Sequence, residues 1–258
     1  MILHYLAIDT VVAVIVWMLL ASRLMGAETD PLTLTLVGAG IWLVYTADRW
    51  LDSFPGSTET VRAPRHQFMG LHRKGMAILW LAGWVGFTVP GLILLDGESL
   101  LFGAIAVALG VFYLIYIQLH PSKNESGRFR AGGGLLVGTL VASAVCLFPI
   151  LNGEARDHEK FLTLLLIASI FCLQTHSTRL WEDGQRISWR WVVILSLAGA
   201  IAAGISGQLP LGLAMIALCA GVLVVDCLTT RDRVAYADWM LAVAGAGGWV
   251  AAFVNLAR

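Results

Sequence analysis

Apolar runs of about 20 residues recur from one end of this chain to the other, and no other feature limits its folding so strongly. They cover residues 4–22, 31–51, 74–94, 99–119, 132–152, 159–178, 190–206, 209–228 and 236–255. About 20 helical residues cross a hydrocarbon core some 30 Å thick. Inside such a core every backbone N–H and C=O must find its partner within the protein, which restricts a spanning chain to helices or a closed barrel. A barrel would be written in short alternating strands of about 10 residues; these runs are twice as long and do not alternate. The sequence therefore predicts an all-α polytopic membrane protein with nine transmembrane helices in one domain, 1–258. Composition agrees, with 58% hydrophobic and 13% charged residues against roughly 25% charged in a soluble domain. Mean hydropathy is +0.79. The seventh run is the shortest, and Gly207 with Leu209-Pro210 marks its boundary with the eighth. The run 4–22 has no basic segment ahead of it and no small-residue cleavage site, so it is expected to be retained as a helix.

Net charge is zero, but the charges are unevenly placed. Loops after the even-numbered runs carry 13 of the 17 basic residues, among them Arg49, Arg62, Arg65, Arg73, Lys74, Lys123, Arg128, Arg130, Arg179, Arg186 and Arg190. The other side has Arg23, Arg156, Lys160 and Arg258. By the positive-inside rule the N-terminus and the even loops face the cytoplasm, and the C-terminus lies outside. That bias is evidence for an odd number of crossings. A bacterial plasma membrane is the expected location.

Several functions have little to stand on. No basic domain large enough for nucleic acid is present. No phosphate-binding glycine loop or dinucleotide fingerprint occurs. Cys146, Cys172, Cys219 and Cys227 lie in or beside apolar runs without forming a C-x-x-C pair, so they read as small packing residues.

The charged residues that remain gather at one membrane edge. Asp48-Arg-Trp-Leu-Asp52 ends the second run, and a spacing of four puts both carboxylates on one helix face. Two anions at a helix C-terminus oppose the macrodipole by up to about 1 kcal/mol each. A bound cation reverses that penalty, and a hard cation such as Mg²⁺ is held by one or two carboxylates, leaving sites for water and phosphate. Arg62, Arg65 and His66 follow and suit the oxygens of such a phosphate, while Arg73 and Lys74 read as plain interfacial anchors. A second cluster follows the sixth run: His176-Ser-Thr-Arg179-Leu-Trp-Glu182-Asp183-Gly-Gln-Arg186. Its Glu182 and Asp183 are adjacent, and both stand at ordinary salt-bridge spacing from an arginine. Its functional reading gives Asp183 or Glu182 to a second cation and Arg179 to phosphate. Lys123, Arg128 and Arg130 form a third basic group ahead of Gly132-Gly133-Gly134, with Tyr113 and Tyr116 at the end of the fourth run. Asp9, inside the first run, would cost about 2.5–3.5 kcal/mol at a helix centre and should face the bundle or a wet cavity. Asp226 and Asp238 lie near the interface.

Asp48-x-x-x-Asp52, the trailing Arg62-x-x-Arg65, basic residues after the fourth run, an acidic cluster after the sixth and nine runs in all resemble the UbiA superfamily of intramembrane prenyltransferases. The likeness covers the whole chain in architecture, and its sequence-specific part is the first motif with its arginines. It implies helices around a central cavity, and two acidic motifs that bind Mg²⁺ and an isoprenyl diphosphate. By this resemblance Asp48, Asp52 and Asp183 are catalytic, and Asp48, Asp52, Glu182 and Asp183 are metal ligands. Arg62, Arg65, His66, Lys123, Arg128 and Arg179 contact the diphosphate. Trp50, Tyr113 and Tyr116 are candidates to stabilise an allylic cation through their π faces. The implied reaction is Mg²⁺-dependent prenyl transfer to a lipophilic, aromatic acceptor. Two positions depart from the family: Val44 stands where it carries Asn, and Glu182-Asp183 replaces two aspartates four apart. A related terpenoid cyclase and a non-catalytic lipid-binding or transport protein are the alternatives. Transport chemistry, however, would place charges near the midplane.

Overall fold

The apolar runs 31–51, 74–94, 99–119, 132–152, 159–178 and 236–255 lie within helices in the computed structural model, and helices cover most of the described part of the other three; the structure describes residues 6–51, 53, 64–119, 128–182, 188–205, 207–226 and 230–256. Among these residues the protein is all-helical, with no strand. The helices are α1 (Ile8–Met25), α2 (Pro31–Leu51), α3 (Pro64–Leu71), α4 (Arg73–Leu94), α5 (Gly97–Leu119), α6 (Arg128–Asn152), α7 (Asp157–Glu182), α8 (Trp189–Ile205), α9 (Leu209–Asp226) and α10 (Thr230–Leu256). Four of them are long and apolar enough to cross a membrane: α1, α4, α7 over Asp157–Thr178, and α9. α2 reaches 21 residues but spends five positions on Thr33, Thr35, Thr46, Asp48 and Arg49. Described apolar stretches within α5, α6, α8 and α10 run to 10–17 residues.

Helix ends follow local chemistry. Pro31 and Pro64 open α2 and α3, where the missing N–H would be unpaired anyway. α3 lies in what the sequence presents as an extended polar loop. α1 ends at Gly26 with φ +69°, and the Ala27 N–H reaches back to the Ser22 carbonyl at 2.8 Å. α8 ends the same way, with Gly207 at φ +72° and the Gln208 N–H on the Ala203 carbonyl at 2.7 Å. Both are left-handed caps that glycine adopts without steric cost. The second is the boundary that Gly207 and Leu209-Pro210 predict.

The described chain falls into two compact units, residues 1–11 with 31–129, and 12–30 with 130–258. In the first, α2 is the hub against which α3, α4 and α5 pack. Indole donors stitch it together. Trp80 Nε1 donates to the Leu43 carbonyl at 2.9 Å, and Trp42 Nε1 to the Leu6 carbonyl at 2.9 Å. A helix carbonyl has a second lone pair to accept such a bond, so each indole N–H is satisfied without breaking the helix. α4 approaches α2 at Gly83, where an added Cβ would stand 2.8 Å from the Trp42 ring.

In the second unit α9 is the hub, packed against α7, α8 and α10. Trp17, fully buried, donates to the Leu241 carbonyl on α10 at 2.9 Å and meets Phe171 of α7 edge-on, ring centroids 6.0 Å apart. α6 and α7 cross at Gly138, whose Cβ, were there one, would lie 2.6 Å from the backbone of Cys172. Small residues permit that approach, and close van der Waals packing is what holds helices together in lipid. Thr163 Oγ1 donates to Gln208 Oε1 at 2.8 Å, a buried polar link between α7 and the turn into α9. Cys146 and Cys219 are buried and Cys172 half-buried, all as free thiols, in keeping with a packing role.

Candidate functional site

Among the described residues, Asp48, Arg65, His66, Arg128, Arg179 and Glu182 lie near helix ends, which is where backbone hydrogen bonding runs out. α2 carries Asp48, half-buried, one turn before its C-terminus, and beside it Arg49, 4% exposed. Neither residue is without a partner. Full burial of a guanidinium costs heavily unless its donors are met, so Arg49 belongs to the packed end of α2 and not to its solvated rim. Ser53 tightens the exit: its N–H reaches the Trp50 carbonyl at 3.1 Å and its hydroxyl donates to the same oxygen at 2.6 Å.

The start of α4 closes this end. Arg73 Nη2 donates to the Ser53 carbonyl at 2.9 Å. In the reverse direction Trp50 Nε1 donates to the Arg73 carbonyl at 3.3 Å. This reciprocal clasp fixes where the chain leaves α2, immediately past the second carboxylate of the motif. Arg73 had the look of a plain anchor in the sequence; it is half-buried and structural, whereas Lys74 is exposed as an anchor should be. The sequence signal for Arg73 was its position directly ahead of an apolar run with a tryptophan partner 23 residues back, which no spacing rule connects.

Asp52 and Arg62 lie outside the described residues. Arg65 and His66 are in the first turn of α3, so the helix and not a loose loop sets their spacing; their side chains are not described. Lys123 also falls outside, and Arg128 is the first residue of α6. Tyr113 is buried in α5 at 6% exposure, and Tyr116 is in the same helix.

In the second unit, Arg179 and Glu182 occupy the last two turns of α7, and Asp183 lies beyond the described residues. Between Arg179 and Glu182, Trp181 is fully buried and its Nε1 donates to Asp226 Oδ1 at 2.8 Å. Asp226 closes α9, so this bond pins the end of α7 to the end of α9. Sequence reasoning gave Asp226 little weight. Its signal was that it is the first charge after an 17-residue uncharged stretch of α9. Asp9 is fully buried in the first turn of α1, where the Thr10 N–H donates to its Oδ1 at 3.0 Å. An acidic side chain at a helix N-terminus is favoured by the macrodipole, which accounts for Asp9 as a structural residue.

Of the four carboxylates assigned to a metal, Asp48 alone has a described side chain. Its half-buried setting at a negative helix end suits a cation ligand with water access. Among the described residues, no three of His, Cys, Asp and Glu gather as a metal site. No protein family, curated protein or solved structure matches the chain.

Proposed function

We propose that this chain is an intramembrane enzyme that transfers an isoprenyl group from an isoprenyl diphosphate to a lipophilic, aromatic acceptor. The observation that carries the proposal is Asp48: a half-buried carboxylate at the last turn of a helix, in an all-helical apolar chain, four residues before Asp52. Arginine-bearing helix α3 follows it. Nine crossings and a cytoplasmic face for the motif-bearing loops belong to the same proposal, as does a plasma-membrane location.

In this reading Asp48 and Asp52 would hold Mg²⁺, the role that the resemblance also gives Glu182 and Asp183 in the second acidic motif, and the ion would supply positive charge to the departing diphosphate. Arg62, Arg65, His66, Lys123 and Arg128 would bind the diphosphate oxygens and orient the allylic carbon, and the resemblance gives Arg179 the same role. The carbon–oxygen bond breaks with its electron pair leaving on diphosphate. The acceptor carbon bonds to the allylic carbon, and the proton it carried passes to water. Apolar helix faces keep bulk water from capturing the allylic centre. Trp50, half-buried beside the motif, offers a π face to that centre.

The test is release of diphosphate from labelled isoprenyl diphosphates of several chain lengths by the purified protein in nanodiscs, with and without Mg²⁺. Release should need Mg²⁺. It should fall in Asp48→Asn and Asp52→Asn by at least the roughly 10–100-fold typical of disturbing a metal's outer-shell partners, with helical circular dichroism unchanged. Neither binding nor release at any chain length would overturn the proposal.

A further inference from the structure

Two side-chain hydrogen bonds tie α7 to α9, one at each end. Near the start of α7, Thr163 Oγ1 donates at 2.8 Å to Oε1 of Gln208, the residue ahead of α9. At the other end Trp181 Nε1 donates to Asp226 Oδ1, also at 2.8 Å. Each bond joins residues 45 apart in the chain, so the two helices run parallel and keep one register between the clasps. At ~1.5 Å per residue the clasps stand about 27 Å apart along α7. Lipid tails supply no hydrophobic drive between helices, so packing and bonds of this kind set the height of one helix against the other.

The two clasps differ in what lies beside them. Thr163 is a whole helix length from the residues given to substrate. Trp181 is among them: Arg179 and Glu182 branch from the same last turns, and α7 ends at Glu182. Trp181 also completes a line of buried positions on one face of α7, with Ile167, Ile170, Gln174 and Ser177, spaced alternately by three and four residues. Its indole is therefore held in rotation by that packed face and in height by Asp226. A helix is stiff, so a slide or turn at Trp181 is carried to Arg179.

We propose that Asp226 is a positioning residue, which through the Trp181 indole sets the place from which Arg179 meets the substrate diphosphate. This rests on the prenyl-transfer reading and adds to it a residue outside both acidic motifs. The Thr163–Gln208 clasp ties the far end of the same helix and is the control for a merely structural effect.

Diphosphate release from labelled geranyl, farnesyl and geranylgeranyl diphosphates by the full chain in nanodiscs with Mg²⁺ tests it. Asp226→Leu should raise KM for the isoprenyl diphosphate roughly tenfold, within the ~100-fold that a misplacement of about 1 Å can cost. Trp181→Phe, which keeps a ring and loses the N–H, should do the same and serves if Asp226→Leu does not fold. Asp226→Asn still offers an oxygen to the indole N–H and should restore most of the wild-type KM. Combining Asp226→Leu with Trp181→Phe should add little to either alone, because both remove one bond. Thr163→Val should lower the unfolding temperature and leave KM unchanged. An unchanged KM in folded Trp181→Phe would overturn the proposal while leaving the prenyl-transfer reading in place. So would an equal rise in Thr163→Val, which would make both clasps plain scaffold, or full additivity in the double variant. A wild type that neither binds nor releases any of the three diphosphates would remove the reading and the proposal together.

Discussion

α4 and α9 are both long and apolar enough to cross a membrane, yet 50% of the apolar stretch of α9 is buried in the protein and only 6% of that of α4. Hydropathy does not separate them. What differs is how their small residues are met. On α9 a Cβ added at Gly212 would stand 3.0 Å from the Ala203 Cβ on α8, and one added to Gly248 of α10 would stand 3.0 Å from Ala214. α9 is thus flanked by backbones that approach it closely. α4 has glycines as well, but Gly75 and Gly86 face open space, and Gly83 alone meets a partner ring closely. Lipid tails are as apolar as leucine, so burial between helices is decided by fit and not by hydrophobicity.

The sharpest way to break this contrast is to truncate one leucine in each helix. Leu218 on α9 is 1% exposed, and Leu218→Ala should leave a cavity and cost about 2–5 kcal/mol, as large-to-small core changes do. Thermal unfolding in detergent would read it, and a cost under ~1 kcal/mol would mean that the α9 packing is looser than it looks. Next comes the α6–α7 crossing. Gly138→Ala forces a methyl against the backbone of Cys172, which cannot yield as a side chain can; overpacking of this kind costs roughly 1–3 kcal/mol. A neutral result would show that the two helices part readily.

A smaller effect is expected in the first unit, where polar clasps stand in for tight packing. Arg73→Met removes the charged hydrogen bond to the Ser53 carbonyl, worth about 1.5 kcal/mol. It should also lower diphosphate release by freeing the chain just after Asp52. Loss of release with no change in stability would move Arg73 from the scaffold into the site. The smallest effect belongs to Leu92 on α4, 63% exposed. Leu92→Ala should stay within ~0.5 kcal/mol. A large loss there would mean that α4 is covered by something beyond this chain.

Much of the fold was legible before the structure. The run 31–51 coincides with α2, and Gly207 marks the turn between α8 and α9, because run length and left-handed caps are local properties of the chain. α3 was missed: eight residues of low hydropathy give no periodic signal long enough to separate from a loop, and only Pro64 hinted at a helix start. At the site, Asp48 stood out because two carboxylates at a helix end are electrostatically costly. Arg73 did not, since its partner Ser53 is distant in sequence and offers only a backbone carbonyl. Asp226 was passed over for the same reason, its partner Trp181 being 45 residues away.

By itself, then, the sequence determined the helical class, the presence of helices long and apolar enough to cross a membrane, and the bounds of α2. Backbone hydrogen bonding and the thickness of a bilayer leave an apolar chain few other choices. Only the tertiary structure decided which apolar faces are covered, which arginines are structural, and that Trp181 and Asp226 join two helix ends. Those outcomes depend on atomic fit and on single hydrogen bonds between distant residues, to which residue type and spacing along the chain are nearly blind.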